Sequence, residues 1–324
     1  MSSSAANSAS HRQIWIDGEL VPWDQATVHV LSHSLQRGSL IFDYMSVHEA
    51  DGGTAVFRLD EHVGRLLHSA ELVGLPLELD AAAIRSAICA TVRANPGAKA
   101  VKVSAYLPSI EVDVVPLDPR VTVAIAAYDP QADINAGKPQ APHRPETLSI
   151  WIEKAVKNRR EDIVPPQAKV SANYTSPMQA KWNARKAGYD EILLVDEAGH
   201  VAEGPTTNVF LVDAAGTLAT PTEEKVLLGV TRRSILELAV DEGLNVEERG
   251  IRPEELANAE EAFLTGTTAG VWPIAKIDDK PLGAAVPGPV SQRLRERFRA
   301  ATRGADPAFA HWLTYVDTER AGRG

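Results

Sequence analysis

The stretch DEILLVDEAGHVAEGPTTNVFLVDAAGTLATP, residues 190–221, holds three apolar runs broken by Glu197-Ala198-Gly199 and Ala214-Ala215-Gly216. Short runs rich in Val, Ile, Leu and Phe between such turn signals predict a strand meander. A meander buries its apolar face only as part of a sheet covered by other elements, so this stretch narrows the fold more than any other. Glu203 sits inside it, between a turn and an apolar strand. Local sequence leaves two readings open. Glu203 is a solvated turn residue, or it is a buried carboxylate facing a protonated heteroaromatic nitrogen, a bond of about 1.5–3 kcal/mol.

The rest of the chain supplies more strands and the helices to cover them. RQIWIDGELVPW reads as a hairpin turning at Asp17-Gly18. LDEHVGRLLHSAELVGL sets Leu59, Val63, Leu66, Leu67 and Leu72 on one helical face. DAAAIRSAICATVRAN is a second helix, capped by Asp80 and stopped at Asn95-Pro96-Gly97. AVKVSAYLP and RVTVAIAAYD follow as strands, so the first part has the alternation of an α/β layer. DPQADINAGKPQAPHRPETLS has no apolar period and is the expected linker. Beyond it come a strand at LSIWIEKAV, a helix through SPMQAKWNARKAG, the meander and the helix TRRSILELAVDEG. The strand EEAFLTG then runs into TTAGVWPIAKIDD, and a last helix contains PVSQRLRERFRAATRG. The expected division is a disordered leader at 1–12, a small α/β domain at 13–132, a linker at 133–147, a larger α/β domain at 148–315 and a tail at 316–324.

A net charge of -10 and the lack of a basic stripe argue against a nucleic-acid partner. No apolar run approaches the roughly 20 residues needed to span a bilayer, so no membrane partner is expected. MSSSAANSAS has no apolar core and reads as a leader rather than a signal peptide. One cysteine, Cys89, excludes an internal disulfide and suits a reducing compartment, which makes the cytoplasm the expected location. His29 and His33 are spaced i, i+4, but no glutamate follows the first as in a zinc-protease helix, so no metal site is expected. Walker-type and dinucleotide-type glycine loops are absent.

PPQAKVSANYTSPMQAKW, from Pro165, carries one charge, Lys169, before Lys181. Most lysines are solvated; one that is partly desolvated has an amine able to act as a nucleophile. LLGVTRRSIL puts Gly229 and Thr231 where a loop turns into a helix, with Thr231 the expected cap. Free N–H groups and the helix dipole there also favour an anion. LTGTTAG, after a strand, adds the hydroxyls of Thr267 and Thr268.

As an ordered set, Lys169 and Tyr174 in KVSANY, Glu203 in VAEGPTTNVF, LLGVTR and FLTGTTAG resemble the class IV, or fold-type IV, pyridoxal-phosphate aminotransferases. FRLDEHVGRLLHSAELVGLPL is similar to that family's early arginine helix, so the resemblance runs over residues 13–315. It implies two α/β domains, a small sandwich and a larger pseudo-barrel, with pyridoxal 5'-phosphate between them. It also implies a homodimer whose partner loop completes the site. By the same resemblance Lys169 is the catalytic lysine, linked covalently to the cofactor and moving a proton. Glu203 holds the pyridine nitrogen protonated, and Tyr174 bonds the ring hydroxyl. Arg65 pairs with the phosphate beside Val230, Thr231 and Thr267, while Thr268 and Ala269 lie nearer the substrate.

The substrates implied are an amine or amino acid and a 2-keto acid. Branched-chain aminotransferases typically read Tyr-Gly-x-x-x-Phe-Glu-Gly-x-Arg over the cofactor. RGSLIFDYMSVHE keeps Phe42 but has Arg37 for the tyrosine, Tyr44 for the glycine and Ser46 for the arginine. FDYMSV and TTAG are closer to the (R)-amine transaminases, whereas KVSANY, FLTG and HWLTYVD resemble the branched-chain group. The arginine that branched-chain enzymes carry after their Ala-Tyr strand is replaced by Leu107-Pro108. Arg37 is a candidate for the carboxylate of a keto acid, or for an outward contact with a dimer partner. Lyases and D-amino acid aminotransferases share the scaffold and remain alternatives.

Overall fold

The computed structural model describes residues 9, 11–136, 138 and 145–317, and in it Asp17 and Gly18, at φ of 47° and 107°, turn β1 (Gln13–Ile16) back onto β2 (Glu19–Pro22). A short helix, α1 (His33–Arg37), ends on left-handed Gly38 and leads into β3 (Ile41–Ala50). β4 (Gly53–Phe57), α2 (Leu59–Val73), α3 (Ala81–Ala94), β5 (Ala100–Tyr106) and β6 (Thr122–Tyr128) follow. The predicted cap of α3 forms, with the Asp80 carboxylate accepting the Ala83 N–H at 2.8 Å. On α2, Leu59, Val63 and Leu66 are buried, while Leu67 and Leu72 lie at the edge of the apolar stripe.

The second run comprises β7 (Leu148–Lys157), α4 (Thr175–Lys186), β8 (Glu191–Val195), β9 (Asn208–Val212), β10 (Leu218–Thr220), α5 (Val230–Asp241) and β11 (Val246–Glu248). It continues through α6 (Pro253–Leu256), β12 (Glu261–Gly266), β13 (Gly270–Ile277), β14 (Lys280–Pro281) and α7 (Pro289–Thr302), and β15 (Leu313–Tyr315) closes the described chain.

Two sheets organise these elements. The first has the order β15-β4-β3-β5-β6-β1-β2, and the second β11-β10-β9-β12-β13-β7-β8 with β14 beside β13. Strand β3 alternates cleanly, with Ile41, Asp43, Met45 and Val47 buried and Phe42, Tyr44, Ser46 and His48 half-buried on the other face. In the second sheet the expected meander is present, but its second rung is only the segment Val201–Glu203. Val201 bridges Val195, and Glu203 bridges Asn208, so this segment joins β8 to β9 and curls the sheet into a ring through β12, β13 and β7. Gly204 and Pro205 keep the rung short, because proline has no N–H to continue a ladder. Inside the curl Ile150, Leu193, Val209, Leu211, Leu264 and Ile274 are almost fully buried. Each such side chain contributes about 1.5–3 kcal/mol relative to exposure.

The chain divides into two units: Met1–His143 with Val170–Ala172 and Thr302–Gly324, and Arg144–Lys169 with Asn173–Ala301. This differs from the expected boundaries in three ways. Arg12, assigned to the leader, is buried with its Nε donating to Asp133 Oδ2 at 2.8 Å, and Asp133 was assigned to the linker. A π-type turn over Pro130–Asn135 carries Asp133, so the ordered part of the first unit extends past residue 132. β15 pairs antiparallel with β4, and the Arg58 guanidinium stacks 4.2 Å over Trp312, so residues 307–315 belong to the first unit. An ion pair between segments without apolar period leaves no trace in periodicity. Residues 1–8 and 10 of the expected leader, residues 137 and 139–144 of the linker, and residues 318–324 of the tail lie outside the described residues.

Candidate active site

Lys169 sits between two buried residues, Ala168 and Val170. The Asn173 side chain pins this turn by donating to Ala168 O at 3.1 Å. A 3-10 turn over Ser171–Tyr174 then brings Tyr174 back, and Lys169 Nζ donates to the Tyr174 hydroxyl at 3.2 Å. The amine is held by a phenol, as a positioned nucleophile requires, rather than spread into solvent.

Behind Tyr174 stands a residue that sequence reasoning missed. The Arg159 guanidinium lies 5.1 Å from the Tyr174 ring centroid, and its NH1 donates to Glu203 Oε1 at 3.1 Å. In KNRRED nothing local separates Arg159 from Arg160, yet their side chains are 6% and 46% exposed, and Arg160 pairs outward with Asp162 and Glu197. The short rung places Glu203 inside the curl at 2% exposure, which decides against the solvated-turn reading. Its Oε2 accepts the Leu227 N–H at 3.1 Å and the Asn208 side-chain N–H at 3.4 Å. Burial pushes the Glu203 carboxyl above its ordinary value, against the opposing pull of Arg159, the Leu227 N–H, Lys169 and Arg232. Such a carboxylate gains from a further N–H partner.

Helix α5 starts at Val230 with Gly229 as its N-cap, so Thr231 is the second helical residue and not the expected cap. The reason is packing. A Cβ on Gly229 would lie 2.0 Å from Asn208 Oδ1, so only glycine fits where the chain turns into the helix. Gly229 makes no side-chain cap bond. The first N–H groups of a helix have no intrahelical acceptor, and they suit an anion. Thr267, Thr268 and Ala269 form the tight turn between β12 and β13, with Ala269 N–H donating to Gly266 O at 3.0 Å.

In the first unit, Phe42, Tyr44 and Ser46 share the half-buried face of β3. Arg65, on α2, is clasped from the opposite face by buried Asp43, with Nε to Oδ2 and NH2 to Oδ1 both at 2.8 Å. His62 Nδ1 lies 2.6 Å from the same carboxylate. Burial alone would raise the Asp43 carboxyl; Arg65 and His62 outweigh it and hold the group far below the ordinary carboxylate range. Arg37 is exposed and donates to Val112 O at 2.7 Å. The residues after Lys169 group with this unit, with Val170 bridging Ile41 and Ser171 N–H donating to Leu40 O at 2.8 Å. His33 is buried, with Nε2 2.8 Å from Val114 O. Among the described residues no group of three or more His, Cys, Asp or Glu could hold a metal ion, and no helix is long and apolar enough to cross a membrane.

Lys169 against a phenol, a buried carboxylate braced by an arginine, and an uncapped helix start form a donor set that fits a phosphorylated pyridine aldehyde. The family model for amino-transferase class IV matches residues 40–277. The branched-chain-amino-acid aminotransferase of Pseudomonas aeruginosa is 34% identical over 304 residues, covering 94% of this chain and 97% of that protein. Among solved structures, the branched-chain aminotransferase of the thermophilic archaeon Thermoproteus uzoniensis with norvaline superposes with a TM-score of 0.85 at 33% identity, over 94% of this chain and 99% of that one. The Thermobaculum terrenum branched-chain amino acid aminotransferase in its PLP form gives a TM-score of 0.84 at 30% identity, over 95% and 99%. The chain belongs to the class IV aminotransferases.

Proposed function

We propose that this chain is a pyridoxal-phosphate aminotransferase exchanging an amino group between an amino acid or amine and a 2-keto acid. The observation that carries the reading is the continuous run from Lys169 through Tyr174 and Arg159 to the buried carboxylate of Glu203. When bound, pyridoxal phosphate supplies a ring that withdraws electrons from the reacting carbon. Lys169 Nζ attaches the cofactor and then carries the proton to and from the substrate carbon. Glu203 keeps a proton on the pyridine nitrogen, and Arg159 keeps Glu203 aimed. Tyr174 bonds the ring oxygen and restrains Lys169. The N–H groups of Val230 and Thr231, the Thr231 and Thr267 hydroxyls and the Arg65 guanidinium bind the phosphate. Thr268 and Ala269 offer backbone groups to the substrate, and Phe42, Tyr44 and Ser46 face it.

A homodimer is part of this proposal. Val112 and Leu117 are 92% and 91% exposed, and Ile110, Val114 and Val115 beside them are also exposed. Arg37 and His33 tie this loop down through Val112 O and Val114 O. An ordered apolar surface of this kind supports a partner of the same chain.

The relatives support branched-chain L-amino acids as donors. Neutral Tyr44 and Ser46 on β3 favour a second reading, in which (R)-arylalkyl amines without a carboxylate are also accepted. The test is a half-reaction screen following the loss of cofactor absorbance with L-leucine, (R)-1-phenylethylamine and its (S) enantiomer. Bleaching by L-leucine and the (R) amine supports both readings, and bleaching by L-leucine alone removes the second. Pyruvate release without an acceptor would instead mark a lyase.

A further inference from the structure

We propose that Asn208 is a positioning residue that couples the two ends of the cofactor site, resting on the roles proposed above for Glu203 and for the start of α5. Asn208 opens β9, and an antiparallel bridge sets it directly opposite Glu203. Paired residues in such a bridge project to the same side, so the two side chains meet. Asn208 is 5% exposed. Its Nδ2 donates to Leu227 O at 2.9 Å and to Glu203 Oε2 at 3.4 Å, and the same Oε2 accepts the Leu227 N–H at 3.1 Å. The carboxylate, the side-chain amide and the Leu227 backbone thus close one ring of hydrogen bonds.

The partners fix which way the amide points. Both atoms facing Nδ2 are acceptors, so the NH2 group is turned to them and Oδ1 away. On that far side Oδ1 packs against Gly229, where it leaves no room for a Cβ. Gly229 is the N-cap of α5, whose first N–H groups suit an anion. Asn158 anchors the same loop earlier, its Nδ2 donating to Lys225 O at 2.7 Å. One buried side chain therefore touches the ring carboxylate at one end and the anion-binding helix start at the other. A shift of Gly229 turns the amide and loosens its bonds to Leu227 and Glu203, which a buried network resists because each lost partner is costly. A ligand held at both ends is aligned for reaction only when those ends keep a fixed separation. Asn208 sets that separation.

The test splits the cofactor into two probes and measures their linkage on the full chain freed of cofactor. Pyridoxal reports the ring end, and inorganic phosphite, which lacks the fourth oxygen and leaves room for the pyridoxal hydroxyl, reports the anion end. Calorimetric Kd values for pyridoxal are taken with and without saturating phosphite. In the wild type phosphite is expected to tighten pyridoxal binding about 5- to 50-fold. Asn208→Ala should bring that factor close to one while each probe alone stays within about threefold of its wild-type Kd, a pattern that general loosening of the fold would not produce. Asn208→Asp keeps the side-chain volume and removes only the donor, so it should also lose the linkage and serves if the alanine variant does not fold. A wild-type factor retained in the variants, or no linkage in the wild type, overturns the inference. Thr231→Ala then separates the two failures: weakened phosphite binding leaves the cofactor reading standing, and unchanged binding removes it as well.

Discussion

Replacing Glu203 by glutamine tests the centre of the site with almost no change in volume. In the native chain Oε1 accepts from Arg159 at 3.1 Å, and Oε2 accepts from Leu227 N–H at 3.1 Å and Asn208 at 3.4 Å. Glutamine turns one of these acceptors into an NH2 group facing a donor. It also removes the charge that, in the proposed role, holds a proton on the pyridine nitrogen. A charge-assisted bond of about 1.5–3 kcal/mol corresponds to roughly 10- to 150-fold in rate. Proton abstraction in the half-reaction with L-leucine, followed by stopped-flow absorbance, is expected to slow by that factor. Cofactor affinity should fall less than about tenfold, because phosphate anchoring is untouched. Arg159, 6% exposed, loses its counter-charge, and breaking such a pair costs about 3–5 kcal/mol, visible as a lower denaturant midpoint. A Glu203→Gln enzyme with the wild-type half-reaction rate would show that the carboxylate has no part in the chemistry.

Borohydride treatment of the yellow holoenzyme should fix the cofactor to Lys169, and Lys169→Ala should abolish turnover while keeping part of the binding; a labelled peptide carrying another lysine would refute the assignment. Arg65→Ala is expected to raise the cofactor Kd about 10- to 100-fold and Thr231→Ala only severalfold, since the arginine supplies a full charge; unchanged titrations for both would place the phosphate elsewhere. Asp43 has its folded pKa depressed by Arg65 and His62, so its stabilisation is present above the ordinary carboxylate pKa of about 3.9 and is lost as pH falls through the folded value. Acid unfolding of Asp43→Asn should therefore be flatter below about pH 4 than that of the wild type, and equal slopes by circular dichroism would contradict the depressed pKa.

What could be read from the sequence was whatever a few neighbouring residues decide. Asp17-Gly18 specifies a hairpin because its backbone must take positive φ, and Asp80 caps α3 from three residues away. Leu59, Val63 and Leu66 mark the buried stripe of α2 by their spacing alone. The ordered motifs around Lys169, Tyr174 and Glu203 carried the family in the same way, because each is a short stretch whose residue types the chemistry demands. Tertiary structure alone decided the rest. Glu203 is buried because the curl of the second sheet closes over it, and Arg159 rather than Arg160 reaches it across 44 positions. Arg12 finds Asp133 across 121 positions, and residues 313–315 cross the whole chain to complete the first sheet beside β4. The physical reason is common to all of these. Turn, cap and stripe preferences are local backbone and side-chain terms, whereas the burial and pairing of a charge depend on which distant segment excludes the water around it.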